Sequence, residues 1–289
     1  MTRQKIADFC SLAFAVISVA VICGGALSLL WKTLAAGIGH VSWGFLFESM
    51  PDGNVLAGGI FPIVVSTFLI VLVCLSVSVP LGLGTAIWLA EFSRKSPRIS
   101  RWSERSIDLL ASVPSIVFGL FGNALFCQLL GMGYSIMAGG LTLACMVLPI
   151  LIRITREGIV TVPNEYRMGA TALGVSKSTM LFRIILPHAM PSVAKGLVLG
   201  IGRALAETAA LLFTSGYEIR MPRSVWDSGR SLSIHIFELA NVTGGSPNAN
   251  ASAVVLVAML FLIAVVTSVL TRLAGASESK VRILQGVTS

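Results

Sequence analysis

Residues 60–89 read IFPIVVSTFLIVLVCLSVSVPLGLGTAIWL, thirty positions without one Asp, Glu, Lys or Arg. An α-helix rises about 1.5 Å per residue, so ~20 apolar residues cross a hydrocarbon layer of about 30 Å. This stretch crosses with length to spare, and five further apolar blocks accompany it, at 11–30, 107–130, 136–154, 193–213 and 252–273. Across the chain 55% of residues are hydrophobic and 12% charged, with a mean hydropathy of +0.88, whereas a soluble domain carries about 25% charged residues. Barrel strands are a poor fit, because they alternate apolar and polar side chains over ~10 residues. In lipid every backbone polar group must be satisfied inside the protein, and a helix does so within one segment. The expectation is an all-α polytopic membrane protein with six transmembrane helices.

Charge orients it. The first block follows Arg3 and Lys5 but is too long for a signal peptide and lacks a small-x-small cleavage site, so it reads as a retained anchor over 11–34 behind a short tail, 1–10. With the N-terminus inside, six crossings return the tail 274–289 to the same side. Arg94, Lys95, Arg98, Arg101 and Arg105 then lie inside, as do Arg153, Arg156, Arg167, Lys177, Arg183 and Lys195, and Arg272, Lys280 and Arg282. Outside fall Lys32, Arg220, Arg223 and Arg230. This is the positive-inside pattern of an inner-membrane protein with both termini cytoplasmic. The net charge of +8 is spread along the flanks of spans and forms no continuous patch, so nucleic acid is not an expected partner.

Chemistry is sparse. His40, His188 and His235 fall in different loops and read as surface or boundary groups. The five cysteines have neither metal nor redox spacing and read as buried small side chains. Asn123 and Gln128 in the third block suit interhelical hydrogen bonds. No G-x-x-x-x-G-K-[ST] occurs, nor Gly-Lys even as a dipeptide, so no phosphate-cradling loop for ATP and Mg²⁺ is expected in this chain. A membrane-embedded enzyme would need an acid, base, nucleophile or metal cluster near one face, and none is legible.

Two segments carry more. Between the fourth and fifth blocks, 162–193 reads VPNEYRMGATALGVSKSTMLFRIILPHAMPSV. Asn164 can cap a first short helix, Gly174 can supply its left-handed end, and Ser176 can cap a second helix that Pro187 stops. Met168, Ala172 and Val175 recur at three-to-four spacing, so the protein's core or a partner must cover that face. In the fifth block, GIGRALAETAALLFTSG over 200–216 sets Arg203 and Glu207 four apart, on one helical face if the helix is continuous. Intramembrane charge normally faces the protein interior or a wet cavity with a named partner. The pair is then either a salt bridge tying helices together or a cation lent to an anion path and steadied by Glu207.

The loop resembles the EAA loop of ABC-importer permeases, with Met168, Gly169 and Ala170 at the E-A-A triplet, Gly174 at the glycine and Ile184-Ile185-Leu186-Pro187 at the closing I-x-L-P. The family's acidic residue is Met168 here, and Glu165 lies three residues before it. The fifth block is similar to R-A-x-G-E-T-A-P-L-L-F-T of PstA-type permeases of phosphate-specific transport, with Ala206 and Ala210 in place of glycine and proline. Residues 57–67, 80–92 and 112–126 resemble the same family, in which Pro114 can loosen the third span. The resemblance implies a type I ABC importer (MetI-like) permease core over 58–273, non-catalytic, with 162–193 seated on a separate ATPase. It implies phosphate as cargo, a path through Arg203, Glu207 and Thr208, and four kinds of partner: a second, PstC-like permease, two ATPase copies that bind ATP and Mg²⁺, an extracytoplasmic phosphate-binding protein, and membrane lipid. The long outer segment 216–250 would serve docking of that protein or act as a mobile connector. Another oxyanion as cargo, or a signalling subunit reporting phosphate status, are the alternatives.

Overall fold

The computed structural model describes residues 3–49, 59–93 and 97–286. Arg94 and Lys95 from the positive-inside pattern, and Ala57 and Gly58 from the family resemblance, lie outside them. The described residues form helices without a strand: α1 (Arg3–Ile38), α2 (Trp43–Phe47), α3 (Phe61–Ile87), α4 (Pro97–Ser112), α5 (Ser115–Gly122), α6 (Ile136–Thr161), α7 (Asn164–Ala172), α8 (Lys177–Met180), α9 (Leu186–Ala206), α10 (Ala209–Leu212), α11 (Leu232–Asn241) and α12 (Ser246–Gly286). Widened π turns prolong α3 over Trp88–Phe92, prolong α5 over Asn123–Leu129, and join α8 to α9 over Leu181–Ile185.

Five segments are long and apolar enough to cross a membrane: Ser11–Ile38, Phe61–Phe92, Ile136–Thr161, Lys177–Ala206 and Ser246–Val269. The block 107–130 departs from a straight span. Its first residues belong to α4, and the chain turns by 98° between Arg98–Ser112 and Ser115–Leu129. Pro114 explains the corner, because it donates no N–H to the preceding turn and disfavours helical backbone at Val113. What remains, Ser115–Leu129, is shorter than the ~20 residues of a full crossing, which makes the bent pair a broken span or a re-entrant loop. The fifth block is also redrawn, since its helix begins at Lys177 and stops at Ala206, well short of residue 213. At the C-terminal end the helical backbone continues through 274 to Gly286.

The centre of the bundle is α3 against α6, with α9 packed on α6 and touching α3 as well. Ile70, Cys74, Leu143, Val147, Leu205 and Leu211 are buried together there. Small residues allow the approach: a Cβ at Gly140 would meet Val73 Cγ1 at 2.5 Å and the Ile70 carbonyl oxygen at 3.0 Å. Lipid is as apolar as Leu, so van der Waals contact between closely approaching backbones, rather than expulsion of water, holds such helices together. The first span stands apart, touching α12 where Gly37 meets the backbone of Asn250. Cys23 is exposed on it, unlike buried Cys74 and Cys127.

The outer segment 216–250 is no loose connector. It carries α11, whose Leu232, Ile234 and Leu239 are wholly buried, and the N–H of Leu232 donates to Thr67 Oγ1 of α3 at 2.8 Å. His235, expected at a surface or boundary, is 1% exposed. Burial, reinforced by nearby Arg230, pushes its imidazole pKa down to about 3, so it is neutral at physiological pH.

Gly140→Leu overpacks the α3–α6 contact and should cost about 1–3 kcal/mol. A lower midpoint of thermal unfolding in detergent, with Gly84→Leu as a control at a position where a Cβ meets nothing within 4 Å, checks this.

Candidate functional site

The inner loop is built largely as its sequence suggests. Gly174 adopts φ +67°, a region that favours glycine, and the Val175 N–H reaches back to the Ala170 carbonyl at 2.9 Å to close α7. Ser176 caps α8, its hydroxyl accepting from the Thr179 N–H at 3.2 Å. Two details differ. The cap of α7 is Pro163, extended at φ −53° and ψ 141°, so Asn164 is the first helical residue and not the cap. Pro187 stops nothing: the π turn over Leu181–Ile185 carries α8 straight into α9. A π turn widens the helix locally, which makes room for the Pro187 ring and its missing N–H. The second half of the loop and the fifth span are therefore one 30-residue helix, Lys177–Ala206.

The loop is anchored by a residue that sequence reading placed only by its charge. Arg167 is buried on α7 and donates from Nε at 3.0 Å and Nη2 at 2.7 Å to one carboxylate oxygen of Glu91, from Nη1 to the Val162 carbonyl at 2.7 Å, and from Nη2 to the Ile159 carbonyl at 2.9 Å. Glu91 sits in the π turn at the inner end of α3, with 6% of its side chain exposed. Lys177 adds a second tie, its ammonium donating to the Glu91 carbonyl at 2.9 Å and lying 4.0 Å from the Phe92 ring centroid. Glu91 went unremarked in the sequence. The available signal was an acidic residue ending an apolar run, next to a stretch rich in arginine.

With Arg167 and Ala170 turned inward, the opposite side of α7 is open. Met168 is 59% and Leu173 82% exposed, and Ala172 is exposed as well. Of the apolar face expected to need a cover, Val175 packs on the core beside Ala170 and Ile185, while Met168 and Ala172 are left uncovered by the described residues. Beside it, Glu165, Tyr166, Gly169, Leu173 and Ile184 border a concavity of about 540 Å³. Leu186 and Pro187, the end of the motif, are half-buried at the start of α9.

Farther out, the fifth span breaks where the charged pair was placed on one face. α9 ends at Ala206, and Glu207 is extended at φ −77° and ψ 125°. Arg203 and Glu207 form no ion pair, and Arg203 makes no hydrogen bond among the described residues; it is exposed on the same side of α9 as Lys195 and Leu199. Glu207 is 8% exposed. Its carboxylate accepts from the Ala210 N–H at 3.3 Å, and its carbonyl accepts from Ser233 Oγ at 2.6 Å. A carboxylate taking a nearby N–H competes with helix continuation and favours a new helix start, so Glu207 ends one helix and begins the next. Thr208 follows, its carbonyl accepting from Leu212 N–H at 3.0 Å. Asn123 behaves as expected, donating from Nδ2 to the Phe213 carbonyl at 2.7 Å and accepting from Gln128.

Residues 78–283 match the family model described as binding-protein-dependent transport system inner membrane component. The chain belongs to this family. Membership accounts for the apolar spans and makes it a multi-pass membrane protein. Relatives include a probable ABC transporter permease protein YqgI of Bacillus subtilis, 29% identical over 87% of this chain and 89% of that one. The phosphate transport system permease protein PstA 1 of Mycobacterium tuberculosis (strain H37Rv) is 34% identical over 74% of this chain and 70% of its own. PstC, a phosphate transport system permease protein of Xylella fastidiosa, is 30% identical over 90% and 86%. Among solved structures, the MetNI methionine ABC transporter in inward-facing form superposes with a TM-score of 0.59 at 14% identity, covering 78% of this chain and 99% of that one. This likeness establishes the MetI-like fold. The resemblance to PstA-type phosphate permeases is borne out by these relatives over most of the chain.

Breaking a buried ion pair from one side costs about 3–5 kcal/mol, while replacing both partners by apolar residues is often nearly neutral. Arg167→Met and Glu91→Leu should each destabilise the family member strongly, and the double variant should recover most of the loss. Thermal unfolding of the purified chain, scored as a double-mutant cycle, measures it.

Proposed function

We propose that this chain is a permease subunit of an ATP-driven importer that carries inorganic phosphate inward past Arg203. The carrying observation is the guanidinium of Arg203, exposed on a membrane-spanning helix and bound to no carboxylate among the described residues. A lone Arg in the hydrocarbon costs about 2.5–3.5 kcal/mol on insertion scales, so its retention there suits a wet path and an anionic passenger. Relatives named as phosphate transport system permeases support phosphate over other oxyanions.

In this reading Glu207 does not clamp the arginine. It fixes the helix break, and with Thr208 it keeps irregular backbone beside the path, where non-helical structure is tolerated only if buried or lining a cavity. Arg203 is left able to meet phosphate with a planar fork of donors. The importer is completed by a second, PstC-like permease, two ATPase subunits that bind ATP and Mg²⁺, and a phosphate-binding protein outside. Both termini are cytoplasmic.

The coupling route has two arms. The ATPase seats on the apolar side of α7 around Met168 and Leu173, with Glu165, Gly169, Ala170 and Gly174 shaping the seat. Through Arg167 and Glu91 its motion reaches the inner end of α3. Through the helix Lys177–Ala206 it reaches Arg203 directly, because 30 residues form a rod of ~45 Å at about 1.5 Å per residue. Nucleotide then shifts the balance between inward-open and outward-open packings.

In cells lacking this chain, the wild type should restore phosphate uptake from low concentration, and Arg203→Gln should lower it at least tenfold while the ATPase still co-purifies. Restored uptake of sulfate or molybdate instead would refute phosphate and leave the permease. Leu173→Asp should abolish ATPase co-purification without changing the chain's amount in the membrane.

A further inference from the structure

We propose that α4 lies in the cytoplasmic membrane interface and binds anionic phospholipid, with its arginines on the headgroups and acyl chain in the groove beneath the α4–α5 corner. The helix has three distinct sides. Ser100, Glu104 and Asp108 form one side and are spent on the protein: Glu104 pairs with Arg156 at 2.7 Å and accepts from Ser100 at 3.0 Å, and Asp108 pairs with Arg153. On the opposite side Ile99 is 54%, Trp102 71% and Leu109 69% exposed. Arg98, Arg101 and Arg105 form a basic, exposed flank between the two. An amphipathic helix with cations on its flank and Trp and Leu on its apolar face suits an interface between water and acyl chains.

The corner fixes the orientation. Ser115–Leu129 packs against the spanning helix α6, where Gly122 meets Thr142, so a helix at 98° to it runs across the bundle and nearly along the membrane plane. Its depth follows from α6, whose inner-end Arg153 and Arg156 are the partners of its acidic side. Inside the corner lies an apolar groove of about 470 Å³, bordered by Ile107 and Leu110 of α4, Val117 and Phe121 of α5, and Leu148 and Ile152 of α6. Water gains nothing from such a lining, whereas an acyl chain does. The positive flank selects the sign of the headgroup, because anionic lipid gains about 1 kcal/mol per nearby Lys or Arg. The occupant is therefore a lipid of the inner leaflet and not a second protein. Neither phosphate as cargo nor the role of Arg203 enters this inference.

The test uses the assembled transporter in nanodiscs and mixed micelles. After delipidation and exposure to equal amounts of phosphatidylglycerol and phosphatidylcholine with matched chains, native mass spectrometry should show several-fold preferential retention of phosphatidylglycerol. Arg98→Gln with Arg105→Gln should cut that preference at least threefold, and Leu148→Trp, which fills the groove, should lower retention of both lipids. A second readout does not depend on the arginine or groove variants. The tryptophan emission that disappears in Trp102→Phe should, in the wild type, be quenched by brominated phosphatidylglycerol more than by brominated phosphatidylcholine. Equal retention of the two lipids by the wild type, an unchanged preference in the arginine double variant, or a Trp102 emission that neither brominated lipid quenches because another subunit covers it, would each overturn the proposal.

Discussion

The buried contact between Arg167 and Glu91 is the constraint around which the half of the bundle that holds the 162–193 loop is arranged. With about a tenth or less of either side chain exposed, each charge is tolerable only because the other is present, and the two carbonyls at the end of α6 complete the guanidinium's donors. One residue thereby joins three elements: α7 carries it, α3 supplies the carboxylate, and α6 supplies the oxygens. The choice of inward face follows. Once Arg167 points in, Met168 and Leu173 have to point out, and the apolar surface of the loop becomes available to another subunit.

The outer half depends on a different device. Glu207 ends the fifth-span helix at a depth where α11, folded back from the outer segment, supplies Ser233 to its carbonyl. The backbone left irregular by the break is thus satisfied from a segment far along the chain, as the absence of water in the hydrocarbon requires. A break so supported leaves Arg203 on the last turn of α9, where cations are favoured by the helix dipole.

Much of this was legible in the sequence, and the limits have physical causes. Long apolar runs gave the spans because membrane thickness sets a length; the start of α6 at Ile136 and the left-handed Gly174 fell where expected. Proline was the main source of error, in both directions. Pro114 turned a presumed span through a right angle, and Pro187, expected to stop a helix, is carried by a π turn that no short-range pattern announces. The Arg203–Glu207 spacing suggested one helical face because four-residue periodicity presumes continuity, and the carboxylate itself ends that continuity. Glu91 and Arg167 are 76 positions apart, beyond what helical periodicity can relate. Met168, Ala172 and Val175 were read as one apolar face, but the chain turns at Gly174, so Val175 packs on the core while Met168 and Ala172 stay on the open side of α7.

The fusion of α8 to α9 through Leu181–Ile185 has a consequence for how such chains can vary in length. A π turn is a single extra residue accommodated inside an α-helix, and each residue added to a helix rotates everything beyond it by about 100°. The side from which Arg203 looks out is therefore phased to the 162–193 loop by residue count alone. Removing the extra residue, or adding another between Pro187 and Arg203, would leave both ends folded and swing the guanidinium onto a different wall, so changes of length here are tolerable only in whole turns.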